Sequence, residues 1–313
     1  MNSLAILGGS GFVGKSIIDY IDKKNGTNLK IKKIYLFQRK KFSYNSINIK
    51  LVFINKDFLN VKNFPEVNYI IYGLKSNTLK KSKAIFTHLK KKIFFFKKKP
   101  KILFLSSGAV YGKNPSKINT LEKKKIDLKL ISSFNNYKKK YAKEKFYLEK
   151  RFLNLQKHQF EVSIARCFTF VGKHIPQNSI YVIGNLIKSI FQNKSLNIKS
   201  NYLVIRSYMH EEQFVKCLMM ILSSNKSNGE IFNVGSDDEI NIHDLVYKLS
   251  KKYSLKVKKK SYNNKIKDIY VPNIDKLRNK FNIKSNYKSY LSIIKTLDFF
   301  KLKKMKSISR KKI

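Results

Sequence analysis

Apolar and polar positions change period in blocks along the first 170 residues. Ser3 to Leu7 is a short, nearly continuous apolar run, the pattern of a strand buried on both faces. A glycine-rich turn and a helical stretch from Val13 to about Lys23 follow it. Strand-like runs recur at Lys33 to Phe37, Ile49 to Ile54 and Asn68 to Tyr72. A Lys-rich helix from about Thr78 to Lys91 leads to a fifth strand, Lys101 to Ser106. Tyr137 to Leu155 has helical spacing, with Tyr141, Lys145, Leu148 and Phe152 along one face. Glu161 to Phe168 reads as a sixth strand. Strands alternating with helices in this way predict a parallel sheet covered by helices on both sides.

Past residue 172 the pattern changes. Helices are expected around Ile180 to Gln192, Glu211 to Leu222 and Ile242 to about Lys251, with a short strand at Glu230 to Val234. Residues 273–301 read as helical, interrupted near Asn282 to Asn286. From Leu302 onward a basic, frayed tail is expected. There is no internal repeat.

Composition narrows the picture. Hydrophobic residues make up 42% and aromatics 13% of 313 residues, enough to bury a sizeable core. Two cysteines, Cys167 and Cys217, leave no room for a disulfide scaffold or a Cys-based zinc site, and they fit a reducing compartment. The five histidines show no metal-ligand spacing, so no metal is expected. The longest apolar runs, such as Ile93 to Phe96, are too short to span a bilayer. The opening strand leaves no space for a signal peptide. A cytoplasmic globular protein with no membrane contact is the expectation.

The charge is unusual, with 67 basic against 19 acidic residues and a formal net charge of +48. Such a field attracts polyanions. Only six of the basic residues are Arg, however, and Arg supplies the forked contacts that read phosphates and bases. Lysine is also spread along the whole chain. Compositional drift with solvated basic faces accounts for this better than nucleic-acid binding, and no nucleic-acid partner is expected.

Gly8-Gly9-Ser10-Gly11-Phe12-Val13-Gly14 lies between the first strand and the first helix. Glycines 8, 11 and 14 have the spacing that allows a tight turn, backbone approach to a pyrophosphate, and close packing of helix on strand. The helix N-terminus then offers free N–H groups to phosphates. Position, after a strand and before an amphipathic helix, favours dinucleotide binding over a bare structural turn. The second strand ends in Gln38-Arg39-Lys40-Lys41, with no carboxylate for the adenosine ribose. Arg39 therefore favours NADP, and NAD stays open. Asp57, after the third strand, could accept from the adenine amine or cap the turn that follows.

Ser106-Ser107-Gly108-Ala109-Val110-Tyr111-Gly112 ends the fifth strand, at the edge where ligands bind in open α/β sheets. Tyr141 and Lys145 form a Tyr-x-x-x-Lys pair on one helix face. In so Tyr- and Lys-rich a chain about three or four such pairs arise by chance. Placement singles this one out, since it alone lies on the helix following the Ser107 strand.

With these segments in order, and with Arg166-Cys167-Phe168-Thr169-Phe170-Val171-Gly172 and Phe232-Asn233-Val234-Gly235 after them, the chain resembles an extended short-chain dehydrogenase/reductase. It is similar to the NAD-dependent epimerase/dehydratase family, which acts mostly on nucleotide-linked sugars. The resemblance covers nearly the whole chain. It implies a doubly wound parallel (Rossmann) sheet in residues 1–172, with 203–236 returning to it. A smaller substrate-capping domain would comprise 173–200 and 240–301, and 302–313 would be the tail.

The resemblance implies that Tyr141 is the acid/base. Lys145 would lower the tyrosine's pKa and hold the nicotinamide ribose, and Ser107 would bond the same substrate oxygen. Cofactor-binding positions would be Gly8, Ser10, Gly11, Phe12, Val13, Gly14, Arg39, Asp57, Phe58, Gly73, Tyr141 and Lys145. Ser107, Thr169, Asn185 and Arg206 would hold the nucleotide sugar, Arg206 through its fork of donors. Thr169 stands where many relatives carry Asn, and a Lys-rich stretch around Leu121 to Ser133 lengthens the gap from Ser107 to Tyr141. Gly108-Ala109 occupies the positions where dehydratases carry an Asp-Glu pair, so dehydration is disfavoured. Reduction of a 4-keto sugar at C4 is the preferred expectation, with 4-epimerisation as the alternative. A non-catalytic dinucleotide- or RNA-binding member of the fold is a remoter one. A homodimer is left open.

Overall fold

In a computed structural model of the protein, the described residues are 2–76, 78–112, 122, 126–177, 182–198, 200–259, 263–284 and 288–309. They fall into two compact units. One holds Met1–Lys113, Glu122–Cys167 and Val215–Val234; the other holds Phe168–Phe214 and Gly235–Ile313.

The first unit follows the alternation read from the sequence. Its elements are β1 (Asn2–Leu7), α1 (Phe12–Lys23), β2 (Ile31–Gln38), β3 (Lys50–Asn55), β4 (Tyr69–Tyr72), α2 (Leu79–Ile93), β5 (Lys101–Ser107), α3 (Leu128–Ser132), α4 (Asn136–Leu153) and β6 (Val162–Cys167). The following segments are β7 (Phe170–Val171), α5 (Val182–Phe191), β8 (Leu196–Ile198), β9 (Tyr202–Ser207), β10 (Met209–His210), α6 (Glu211–Ser223) and β11 (Ile231–Val234). Among the described residues, seven strands form one sheet in the order β11-β6-β5-β4-β1-β2-β3. Every pairing in it is parallel. The order reverses direction between β1 and β4, the switch point where a doubly wound sheet opens a crevice.

The apolar runs explain this sheet. Leu4, Ala5, Leu7, Ile70, Ile71, Leu103 and Phe104 are fully buried, as central strands covered on both faces require. In α1, Ile17, Ile18 and Ile21 are also fully buried, one stripe of a 3.6-residue period. Phe152 of α4 stacks on Phe104 of β5 at 4.7 Å between ring centroids and meets Tyr72 of β4 at 4.9 Å. Together these rings fasten α4 across two adjacent strands.

The second unit continues with β12 (Glu239–Asn241), α7 (Ile242–Tyr253), β13 (Val257–Lys259), β14 (Asn263–Tyr270), α8 (Asp275–Phe281) and α9 (Ser289–Ser309). Its strands form small sheets: β12-β9-β14, β13-β8 and β10-β7. The sequence reading has 203–236 return to the first unit; in the structure Val215–Val234 is grouped with that unit, and β9 pairs with β12 and β14. A single exposed-and-buried strand pattern does not specify its partner, which accounts for the difference.

The expected fraying from Leu302 is also corrected, because α9 continues to Ser309. Ile293, Leu297 and Phe300 anchor it, and the Lys, Leu and Met residues beyond are good helix formers that extend an established helix cheaply. α8 ends at Phe281, with Asn282 in the left-handed region (φ 50°) where the interruption was expected; residues 285–287 lie outside the described set. Among the described residues no helix is long and apolar enough to cross a membrane.

Candidate active site

β1, β4 and β5 end side by side at one edge of the parallel sheet, and the glycine turn, Gly73 and Ser107 stand at those ends. Gly8 leaves β1 with φ 105°, a conformation that disfavours any side chain. The N–H groups of Gly8 and Gly9 both donate to the Phe37 carbonyl (2.9 and 3.3 Å), tying the turn to β2. A Cβ on Gly14 would lie 2.4 Å from the Gly9 carbonyl oxygen, so α1 can approach β1 this closely only with glycine there. A Cβ on Gly8 would meet the Gly73 carbonyl at 3.1 Å, which places Gly73 directly beside the turn.

Two features of this corner fit a dinucleotide. The N-cap of α1 is Gly11, which supplies no side-chain bond, and its first turn carries no acid; the helix therefore presents its N–H groups and positive dipole end to an anion. Ser10, Phe12 and Val13 complete that turn. Gln38 at the end of β2 is 3% exposed, donates through Nε2 to Asn55 Oδ1 at 2.9 Å, and has a buried Oε1 with no partner among the described residues. A Cβ on Gly9 would lie 3.2 Å from that oxygen, so an idle acceptor faces the turn.

Asp57 caps the turn that follows β3. It accepts from the Leu59 N–H at 3.2 Å at the start of a short 3-10 turn, and its other oxygen pairs with Lys81 at 2.7 Å. The Lys81 hydrogen bond, with further help from the Leu59 N–H and the charge of Arg39, holds the carboxyl below the ordinary aspartate range against the opposing effect of burial. Arg39 is exposed, and its charge is felt at Asp57. Phe58 is 4% exposed and packs edge-on against Phe37.

Ser107 is the last residue of β5, and its Oγ accepts from the Ala109 N–H at 3.2 Å. Lys145 on α4 is 4% exposed and donates to the Leu105 carbonyl at 2.9 Å, two residues before Ser107. Its Nζ lies 5.9 Å from the centroid of the half-buried Tyr141 ring. Burial lowers the Lys145 pKa, partly countered by Glu144, Cys167 and Glu149 and reinforced by Lys75. Beside it, burial pushes the Cys167 thiol up to about 12, so that sulfur stays protonated. Gly108 and Ala109 form the turn after Ser107 and bring no titratable group to it.

Beneath the pair lies a buried polar network whose full extent the sequence did not reveal. Glu149, one turn beyond Lys145, takes two bonds from Arg166 (2.9 and 2.7 Å) and one from Ser106 Oγ (2.6 Å). Arg166 also donates to Tyr111 Oη at 2.9 Å, which in turn donates to Asn233 Oδ1 at 2.8 Å. Glu122, from the Lys-rich stretch, accepts from the Asn233 N–H at 2.9 Å and gives its carbonyl to Arg166. The network links α4, β5, β6 and β11. The available signal was the rarity of Arg and acids here, which makes a Glu one turn after Lys145 and an Arg in β6 worth pairing.

The remaining expected residues lie in the second unit. Thr169 is half-buried, and its carbonyl accepts from the Met209 N–H at 3.2 Å. Asn185 is on the exposed face of α5. Arg206 on β9 is fixed by Asp268 of β14, with Nη2 to Oδ2 at 2.7 Å and Nη1 to the carbonyl at 2.6 Å.

Comparison with known proteins agrees with this architecture. The family model for the NAD dependent epimerase/dehydratase family matches residues 74–235, just over half of the chain. No curated protein sequence matches. Among solved structures, the chain is similar to a UDP-glucuronic acid 4-epimerase from Bacillus cereus in complex with UDP-glucuronic acid and NAD, at 15% identity and TM-score 0.76, with 96% of this chain and 99% of that one covered. A UDP-N-acetylglucosamine 4-epimerase from Methanobrevibacter ruminantium matches at 18% identity and TM-score 0.75 over 96% and 99%. A dTDP-glucose 4,6-dehydratase from Bacillus anthracis in complex with NAD matches at 17% and 0.75 over 96% and 97%. At these identities the structures establish a shared fold. Together with the match across more than half of its length, the ordered glycine turn, Ser107 segment and Tyr141-Lys145 helix make this chain a member of the NAD dependent epimerase/dehydratase family.

Proposed function

We propose that the protein is a dinucleotide-dependent enzyme that reduces a nucleoside-diphosphate 4-keto sugar at C4. The observation that carries this reading is Lys145, buried and fixed to β5 with its ammonium group 5.9 Å from the Tyr141 ring, at the sheet edge where the glycine turn opens. A bound dinucleotide would supply the hydride. Gly8 to Gly14, Gln38, Asp57 and Gly73 are the residues suited to hold it. Tyr141 would donate its hydroxyl proton to the C4 oxygen, and the positive Lys145 beside it would favour the phenolate left behind. Ser107 would bond the same oxygen and fix its direction. In this reading Thr169, Asn185 and Arg206 of the second unit would contact the nucleotide sugar. Arg206, fixed by Asp268, would meet the diphosphate already oriented.

Dehydration lacks support because Gly108 and Ala109 have no proton to move. Epimerisation at C4 with retained NAD is the second reading. It is favoured by one observation, the idle acceptor oxygen of Gln38, which suits a donating ribose hydroxyl better than a phosphate. Arg39 favours NADPH and so the reductase. The test supplies a nucleoside-diphosphate 4-keto-6-deoxy hexose with NADPH or NADH and follows loss of reduced-nicotinamide absorbance. Net oxidation, faster with NADPH, is the expected result, and Arg39→Ala should narrow the preference without stopping turnover. Interconversion of two C4 epimers with no net oxidation would replace the reductase by the epimerase.

A further inference from the structure

Tyr141 has a second cation beside it. Lys75 follows Gly73 on the segment leaving β4, the same sheet edge on which Ser107 stands. Its Nζ lies 5.7 Å from the centroid of the Tyr141 ring, compared with 5.9 Å for Lys145. It also lies 4.9 Å from the ring of Tyr137, one helical turn before Tyr141, and donates a hydrogen bond to the Tyr137 hydroxyl. An exposed lysine otherwise spreads its ammonium group over many rotamers. The Tyr137 contact confines this one to the Tyr141 side of α4.

We propose that Lys75 is a positioning residue for the acid/base, a second cationic partner that acts through Tyr141 by favouring its phenolate. The inference rests on the reading of Tyr141 as that acid/base. Lys75 and Lys145 come from different elements, one exposed and one buried, and the charge of Lys75 is felt at Lys145. The two therefore complement each other. Lys145 reaches Tyr141 from the buried side of α4, and Lys75 from the solvent side.

Among the described residues, other groups also surround Tyr141. On α4, Glu144 accepts from Ser82 of α2 at 2.7 Å, a neutral hydroxyl that does not offset a carboxylate's charge. Glu144 therefore works against a phenolate and the two lysines must outweigh it, whereas Glu149 is paired with Arg166. From β6 comes Cys167, whose thiol burial keeps protonated, and from β5 the neutral Ser107 hydroxyl. α3, packed on α4, is capped by Asp127, an exposed acid bonded to its own helix through the Lys129 N–H at 2.7 Å.

The experiment uses the full-length protein with tyrosine labelled at ¹³Cζ, whose NMR shift reports phenol ionisation without any substrate. Tyr141 is picked out from the 18 tyrosines by its loss in Tyr141→Phe. In Lys75→Gln the Tyr141 midpoint should rise by about half a unit or more, the order expected for removing a cation held against the Tyr141 ring in a largely aqueous surrounding. Lys75→Arg should restore it, and Tyr137→Phe should raise it by less than Lys75→Gln. If Lys145→Met moves the midpoint while Lys75→Gln leaves it unchanged, Lys75 has no such role and the acid/base reading stands. If neither moves it, and Tyr141 titrates like the exposed tyrosines, both fall.

Discussion

Glu149 and Arg166 have side chains only 2% and 3% exposed, and each satisfies the other through two hydrogen bonds. Burial alone would disfavour the charged guanidinium, but the Glu149 bonds more than offset this and raise the Arg166 pKa. Removing one partner leaves a buried charge uncompensated. Glu149→Gln should therefore lower the unfolding free energy by about 3–5 kcal/mol, read from urea denaturation, whereas Glu149→Leu with Arg166→Met should recover much of the loss. A change below about 1 kcal/mol in Glu149→Gln would show that the network relaxes around the lesion. Gly14→Ala is the contrasting case, since the new methyl must push on the backbone of the turn itself. It should cost about 1–3 kcal/mol and weaken dinucleotide binding as well. The glycine turn was legible because its requirement is local and periodic. The role of Glu122, bonded to an N–H 111 residues away, has no local signature.

Among the elements, the connection from β2 to β3 shows how one acid organises a loop. Asp22, at the end of α1, accepts from the N–H groups of Ile47 (3.2 Å) and Asn48 (2.8 Å) and from the hydroxyls of Ser46 (2.8 Å) and Tyr44 (3.4 Å). Burial by itself would raise its pKa, yet these donors together hold it below the usual aspartate value of 3.8. A depressed carboxylate stabilises the fold fully above its unfolded pKa and loses that effect as pH falls through its folded one. The stability difference between wild type and Asp22→Asn, followed by urea midpoints, should thus be greatest near neutrality and shrink below about pH 4. A difference that does not vary with pH would mean that the loop is held by shape alone. Most of the helices and the central strands were readable in advance to within a few residues because apolar period and burial coincide in them, whereas the short α3 and the far end of α9 were not. The small sheets of the second unit were not, since strands such as β8 and β13 are three residues long and carry no period.

At the scale of the molecule, a net charge of +48 is a standing repulsion that salt screens. Raising ionic strength from low to physiological should increase the melting temperature, and identical melts would mean that the charges are too dispersed to matter. Fold and family were legible from the order of the motifs, because each glycine, Ser107 and the Tyr141-Lys145 helix fall where the parallel sheet needs them. The additional cation at Tyr141 was not, because Lys75 is one lysine among many and only the path of the chain after β4 selects it. The central claim is that Tyr141 moves the proton in a reaction run at this edge. Its most direct test compares wild type with Tyr141→Phe in two assays, dinucleotide binding and turnover of the keto sugar. Binding should stay within about twofold while turnover falls by about 10²–10⁴-fold, the range for loss of a positioned acid. Turnover unchanged in Tyr141→Phe would contradict the account.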